Sequence, residues 1–285
     1  MKQILTFSIL ALLLCNCQSG NKRTSASEDA KEMPADTIAY ARLMDGFDKQ
    51  FFAIEAEYDS ATAERQLELE SSFEELDQAM VKEQRQFVRD YPASQHSLLV
   101  LMEIDWSFES ASEFREILEF LDTSLHDSRL YEDLDNLVTQ MELVEVGKHA
   151  PDFTMMDVKG TSRKLSEQYR DAQYLLLDFW ASHCGPCRME NANIREAYDR
   201  FHEKGFDVLG VSTDTRKEHW INAIETDRLI WTNVCSLESW NENEVVRMYA
   251  LRQVSQNFLL DNSGKIIATD LRGEELIATL EQLLN

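Results

Sequence analysis

Proline and glycine are scarce, four and nine residues in 285, which excludes collagen-like and low-complexity chains. Basic residues are outnumbered as well, 28 Lys and Arg against 52 Asp and Glu, for a formal net charge of −24. Phosphate recognition needs clustered Lys and Arg, so no nucleic-acid partner is expected, nor a polybasic grip on anionic lipid. Beyond the first residues no long apolar run occurs. What is present is 44% hydrophobic residues, enough for real cores, at a length suited to one large or two ordinary domains. The charge is uneven: residues 18–147 hold 11 basic and 30 acidic side chains, residues 148–285 hold 16 and 22. Two domains of different character follow.

The N-terminus reads as an address. Lys2 precedes an apolar run over residues 4–14, a secretory signal too short to span a bilayer of about 30 Å. Leu14-Cys15-Asn16-Cys17-Gln18-Ser19-Gly20 then resembles a bacterial lipobox, in which a Leu stands three residues before the lipidated cysteine. Cys17 fits that offset; Cys15 is the runner-up, and a plain cleaved signal is the bland alternative. Residues 1–17 are therefore expected to be a lipoprotein signal and 18–35 a flexible tether. The implied location is the bacterial envelope, lipid-anchored and facing the periplasm, where disulfides are allowed.

Residues 36–146 are expected to form an acidic all-α domain. Tyr40, Leu43, Phe47, Phe51, Ile54 and Tyr58, then Leu69, Phe73, Leu76, Met80 and Phe87, recur at helical steps of three and four. A break falls at 59–62 and another at Asp90-Tyr91-Pro92. Ser94 caps a third helix reaching Trp106, and further helices are expected over 112–121 and 128–141. The aromatic stripe is read as bundle core in preference to a ligand groove, and the acidic runs as a solvated face.

Residues 147–285 carry the chemistry. Residues 154–158 and 161–165 read as a hairpin, with Ser166 capping a short helix. Residues 174–180 form a continuous apolar run typical of a central strand. Cys184-Gly185-Pro186-Cys187 follows at the strand-to-helix junction, with helix to about Glu203. A strand over 206–212, a helix over 216–225, a hairpin of 257–260 with 265–269, and a last helix over 274–284 complete a βαβ unit joined to ββα. A cysteine at a helix N-terminus faces unpaired N–H groups and the positive dipole end, which stabilise the thiolate that attacks disulfides. Cys187, one turn on, can displace the resulting mixed disulfide. A structural zinc site would need two more ligands at suitable spacing; a permanent structural disulfide is the other alternative. Cys235 reads as a lone buried thiol, with a regulatory disulfide as the sharper alternative.

Trp180-Ala181-Ser182-His183-Cys184-Gly185-Pro186-Cys187 resembles the thioredoxin active-site motif. The frame from Gly147 on, with 249–261 and Leu271-Arg272-Gly273-Glu274-Glu275-Leu276, resembles the envelope TlpA/ResA-like branch near the AhpC/TSA families. The resemblance implies an α/β thioredoxin-like fold, a central mixed sheet flanked by helices, behind the all-α domain. It implies no cofactor beyond the redox-active Cys184–Cys187 pair and no metal. Cys184 matches the attacking and Cys187 the resolving cysteine; Asp178 matches the buried acid that exchanges a proton with the inner cysteine, and Glu190 an acid near the pair. A carboxylate in a central strand is costly to bury without such a task, and burial should raise its pKa. Three positions depart from the pattern. His183 replaces a Trp, and a cation there would favour the thiolate. Ala192 replaces a helix-kinking Pro. In the substrate loop Val254-Ser255, serine stands where the family has a cis-Pro facing the cysteines, and a cis bond without proline costs about 2.5–4 kcal/mol.

The resulting expectation is a thiol–disulfide oxidoreductase that reduces disulfides in exported proteins, to keep apocytochrome c cysteines as thiols or for general envelope redox upkeep. A membrane thiol carrier would donate the electrons. The alternatives are a thiol oxidase or isomerase, and a non-catalytic thioredoxin-fold binding module suggested by Ser255. A peroxidase is disfavoured because Ala181 and Leu177 stand where peroxiredoxins need a Thr or Ser and a Pro.

Overall fold

The computed structural model describes residues 33–284. The signal segment with Cys15 and Cys17, and the tether up to residue 32, lie outside the described residues. The chain opens with an antiparallel hairpin of two long helices, α1 (Ala35–Tyr58) and α2 (Ala63–Asp90). The turn falls where the sequence breaks, and Thr62 Oγ1 caps α2 by accepting from Arg65 N–H. Ser94 caps α3 (Gln95–Glu103), which ends three residues short of Trp106; a 3₁₀ turn over Asp105–Ser107 takes its place. Helix α4 (Ala111–Glu119) starts earlier than its apolar period suggests. Ser110 Oγ accepts from Glu113 N–H while Glu113 Oε2 accepts from Glu109 N–H, a variant of the capping box that pins the start. Helix α5 (Arg129–Leu143) is capped by Ser128. Leu98, Leu101, Ile104, Phe114, Leu118, Leu134 and Val138 form the core of this half, with Tyr40, Phe87 and Val88 from the hairpin.

The second half is built on a five-stranded sheet in the order β5-β4-β3-β6-β7. Central β3 (Tyr174–Trp180) runs parallel to β4 (Phe206–Ser212) and antiparallel to β6 (Asn257–Asp261). Outside them lie β5 (Thr232–Cys235) and β7 (Ile266–Thr269). Burial on both faces explains why β3 reads as an unbroken apolar run. Leu175, Leu177 and Phe179 enter one core with Phe258 and Tyr249; Leu176 and Trp180 enter the other with Ile194, Phe201, Leu276 and Leu280. Those last four belong to α7 (Gly185–Phe201) and α10 (Gly273–Leu284), which cover that face. Side chains alternate along a strand, so Asp178, between Leu176 and Trp180, faces the α7 side.

Several expected boundaries shift for physical reasons. The first hairpin is shorter, β1 (Thr154–Met156) with β2 (Ser162–Lys164), because Asp157 Oδ1 accepts from both Lys159 and Thr161 N–H and closes the turn early. Ser166 does not cap α6 (Leu165–Asp171); its own N–H is bound by Asp152 Oδ1, 14 residues upstream. Helix α7 stops at Phe201 and a 3₁₀ turn continues to Lys204. Helix α8 (Lys217–Asp227) lies between β4 and β5. Strand β5 and the five-residue α9 (Glu244–Met248) were not anticipated.

The two halves touch where the end of α5 and the loop after α9 meet. Ala250 packs into the helical core, Val144 into the sheet core, and Arg252 Nη1 donates to the carbonyls of Asp105 and Phe108 at 2.6 and 3.1 Å. A cleft of about 370 Å³ beside this contact is lined by Glu109, Met141, Val146, Arg252, Gln256 and Asp270, among others.

Candidate active site

The parallel strands β3 and β4 end side by side, and the cysteine motif leaves the end of β3. Cys184 is the N-cap of α7, Pro186 occupies the first turn, and Cys184 Sγ accepts from Cys187 N–H at 3.2 Å. The two cysteines are joined in a disulfide, with Cα atoms 5.3 Å apart. Cys184 is half-buried whereas Cys187 is 4% exposed, so an incoming disulfide meets Cys184.

Asp178, 6% exposed, points to the face that carries Cys187. Burial pushes its carboxyl up to about 7; the Arg272 guanidinium pulls it down and Glu190 adds to the rise. A carboxyl titrating there can hold or release a proton at physiological pH. Glu190, close enough to act on Asp178, is also held in place. Its carboxylate accepts from Gly273 N–H at 2.8 Å and from Asn193 Nδ2 at 2.9 Å, which ties α7 to the first residue of α10.

The loop expected to meet substrate packs against the same core. Val254 and Cys184 both pack against the core that contains Cys187. No cis peptide bond occurs among the described residues, and Ser255 adopts φ 84°. Its N–H donates to Phe179 O, and Phe179 N–H donates to Gln256 O, each at 2.9 Å. The loop is thus stitched to β3 beside Asp178.

The motif's leading residues are held by side chains that sequence reasoning passed over. Asp214, buried just after β4, accepts from Ser182 N–H at 2.9 Å, Ser182 Oγ at 2.5 Å and Ser212 Oγ at 2.8 Å. His183 is 60% exposed, with Nδ1 3.7 Å from Asp214 Oδ1. Arg188 donates to Ser182 O at 3.0 Å and forks onto both carboxylate oxygens of Asp227. An available signal for Asp214 was its place at the carboxyl end of a parallel strand, where α/β sites gather. For Arg272 the signal was its place in the 271–276 stretch. Cys235 is a buried free thiol that donates to Asp214 O at 3.2 Å; burial raises its pKa. Ala192 stands within α7.

The AhpC/TSA family matches residues 146–269, a span that holds the pair, Asp178 and the loop. That segment belongs to the AhpC/TSA family. Among relatives, the thiol-disulfide oxidoreductase ResA of Bacillus thuringiensis subsp. konkukian is 27% identical over 146 residues, 51% of this chain and 80% of the relative. That of Geobacillus thermodenitrificans is 28% identical over 151 residues, 52% and 83%. The solved thioredoxin domain of a thiol-disulfide oxidoreductase from Bacteroides vulgatus is 38% identical, covering 50% of this chain and 99% of that one, with a TM-score of 0.46. A thiol-disulfide oxidoreductase from Bacteroides fragilis is 37% identical, covering 48% and 100%, with a TM-score of 0.45. The second half is an α/β thioredoxin-like AhpC/TSA domain behind an all-α region, and its enzymatic class is thiol–disulfide oxidoreductase.

Proposed function

We propose that this protein is anchored in the bacterial envelope by lipid on Cys17 and, through its AhpC/TSA domain, reduces disulfides in exported proteins, the apocytochrome c cysteine pair among them. The observation that carries the reading is the pairing of an accessible Cys184 at a helix N-cap with a buried Cys187 on the face of Asp178. The Cys184 thiolate attacks a client disulfide; a Cys184–client bond forms and one client thiolate leaves. The Asp178 carboxylate takes the Cys187 proton, Cys187 attacks Cys184 Sγ, the second client thiolate leaves, and the Cys184–Cys187 disulfide closes. The client gains two electrons, which a membrane thiol carrier restores to the pair.

The test is the reduction potential of the pair, with insulin reduction by the soluble chain. A potential near about −270 mV with insulin turnover is expected. A value near about −120 mV marks an oxidant or isomerase and overturns the reductase reading; no exchange with any disulfide leaves the binding module.

A further inference from the structure

The loop of Val254 and Ser255, which packs against the core of Cys187, is held without proline. Its inner edge is stitched to Phe179, but Ser255 has φ 84°, a backbone region that non-glycine residues occupy only when held. One side chain grips the outer edge. Arg272 Nη1 donates to Ser255 Oγ at 2.6 Å and Nη2 donates to Ser255 O, so one planar fork takes both oxygens of one residue. The base of that arginine is fixed in turn, since the next residue, Gly273, donates its N–H to Glu190 Oε1. A continuous path therefore runs from the cysteine helix through Glu190 and Gly273 to Arg272 and Ser255. The Ser255 carbonyl is occupied, whereas no hydrogen bond among the described residues engages the Val254 backbone, which leaves that backbone to meet a client.

We propose that Arg272 is a positioning residue for exchange with polypeptide disulfides: its fork clamps Ser255 and presents Val254 to the client, replacing the restraint of a proline ring. This rests on the reading that the pair exchanges disulfides with polypeptides. The clamp needs geometry as well as charge. A lysine keeps the charge but offers no rigid fork for two oxygens.

The experiment uses the soluble chain carrying Cys187→Ser, in which Cys184 attacks a disulfide, forms the mixed disulfide and releases one thiolate, and the reaction stops there. Attack is timed on a disulfide-bonded peptide and on dithiobis(nitrobenzoate), which is too small to need the loop. Arg272→Ala and Arg272→Lys are each expected to slow attack on the peptide about tenfold while leaving the small disulfide within about twofold. With both cysteines present, the pH profile of the resolving step should move upward in Arg272→Ala, which unscreens Asp178, and stay in place in Arg272→Lys. Equal slowing on both disulfides, an unchanged peptide rate, or full peptide activity in Arg272→Lys would overturn the clamp. If the parent attacks only the small disulfide, the polypeptide reading fails separately. The clamp is then decided by amide exchange at Ser255, which must accelerate in Arg272→Ala if the proposal holds and stays unchanged if it does not.

Discussion

Asp178 is neutral well into the range where other carboxyls are charged. The unfolded carboxyl ionises near 3.8, the folded one near about 7. Between those values the folded state binds more protons, so this group makes stability fall as pH rises through the window. The full effect is on the order of 4 kcal/mol. Asp178→Asn is therefore expected to stabilise the oxidised protein at pH 8 and to leave it nearly unchanged at pH 3.5, while slowing the resolving step. Denaturant unfolding at the two pH values checks this; an equal change at both would exclude titration as the cause. Asp178 was legible in the sequence because a single carboxylate interrupts an apolar run, and alternation fixes its face. Arg272 and Asp214 were not, because their partners Ser255 and Ser182 lie 17 and 32 residues away and meet them only once the sheet has formed.

Elements with local signals were read almost to the residue, and those without were missed. Helices α2, α3 and α5 begin at hydroxyl caps, and strand β4 spans the expected residues. The cap of α6 comes from Asp152, outside the local window, and β5 and α9 have four and five residues, too few to show a period. The cysteine helix also depends on a distant element. Asp227, the last residue of α8, takes the Arg188 fork and accepts from Asn191 Nδ2 at 2.8 Å. Asn191 is buried, with its Oδ1 unpartnered among the described residues. Asp227→Ala leaves that amide and a half-buried guanidinium without their acceptor, at a cost of about 2 kcal/mol. The expected result is a lower unfolding midpoint and faster amide exchange over residues 182–188. Faster exchange confined to α8 would mean that Asp227 does not hold the motif.

At the scale of the molecule, the helical half touches the loop that leads into Val254 and Ser255. Arg252 binds the carbonyls of Asp105 and Phe108 two residues before Val254, and burial raises the Asp105 carboxyl to about 6 despite that arginine. Glu109, Glu145 and Asp270 line the adjoining cleft. A client held at Val254 would lie on the loop that touches this half, and acidic residues outnumber basic ones 30 to 11 in the sequence from 18 to 147. A field of that sign raises the local concentration of cationic chains, and salt screens it with a Debye length of about 10 Å at 0.1 M. The pair itself does not depend on ionic strength in this way, so the effect belongs in KM. For the soluble chain with test peptides of equal length, KM for a basic disulfide peptide is expected to rise several-fold between about 20 and 200 mM salt. KM for a neutral peptide should hold, that for an acidic one should fall, and kcat should stay constant for all three. Salt dependence that is the same for the three peptides would locate the effect in the exchange step and remove the acidic half from client selection.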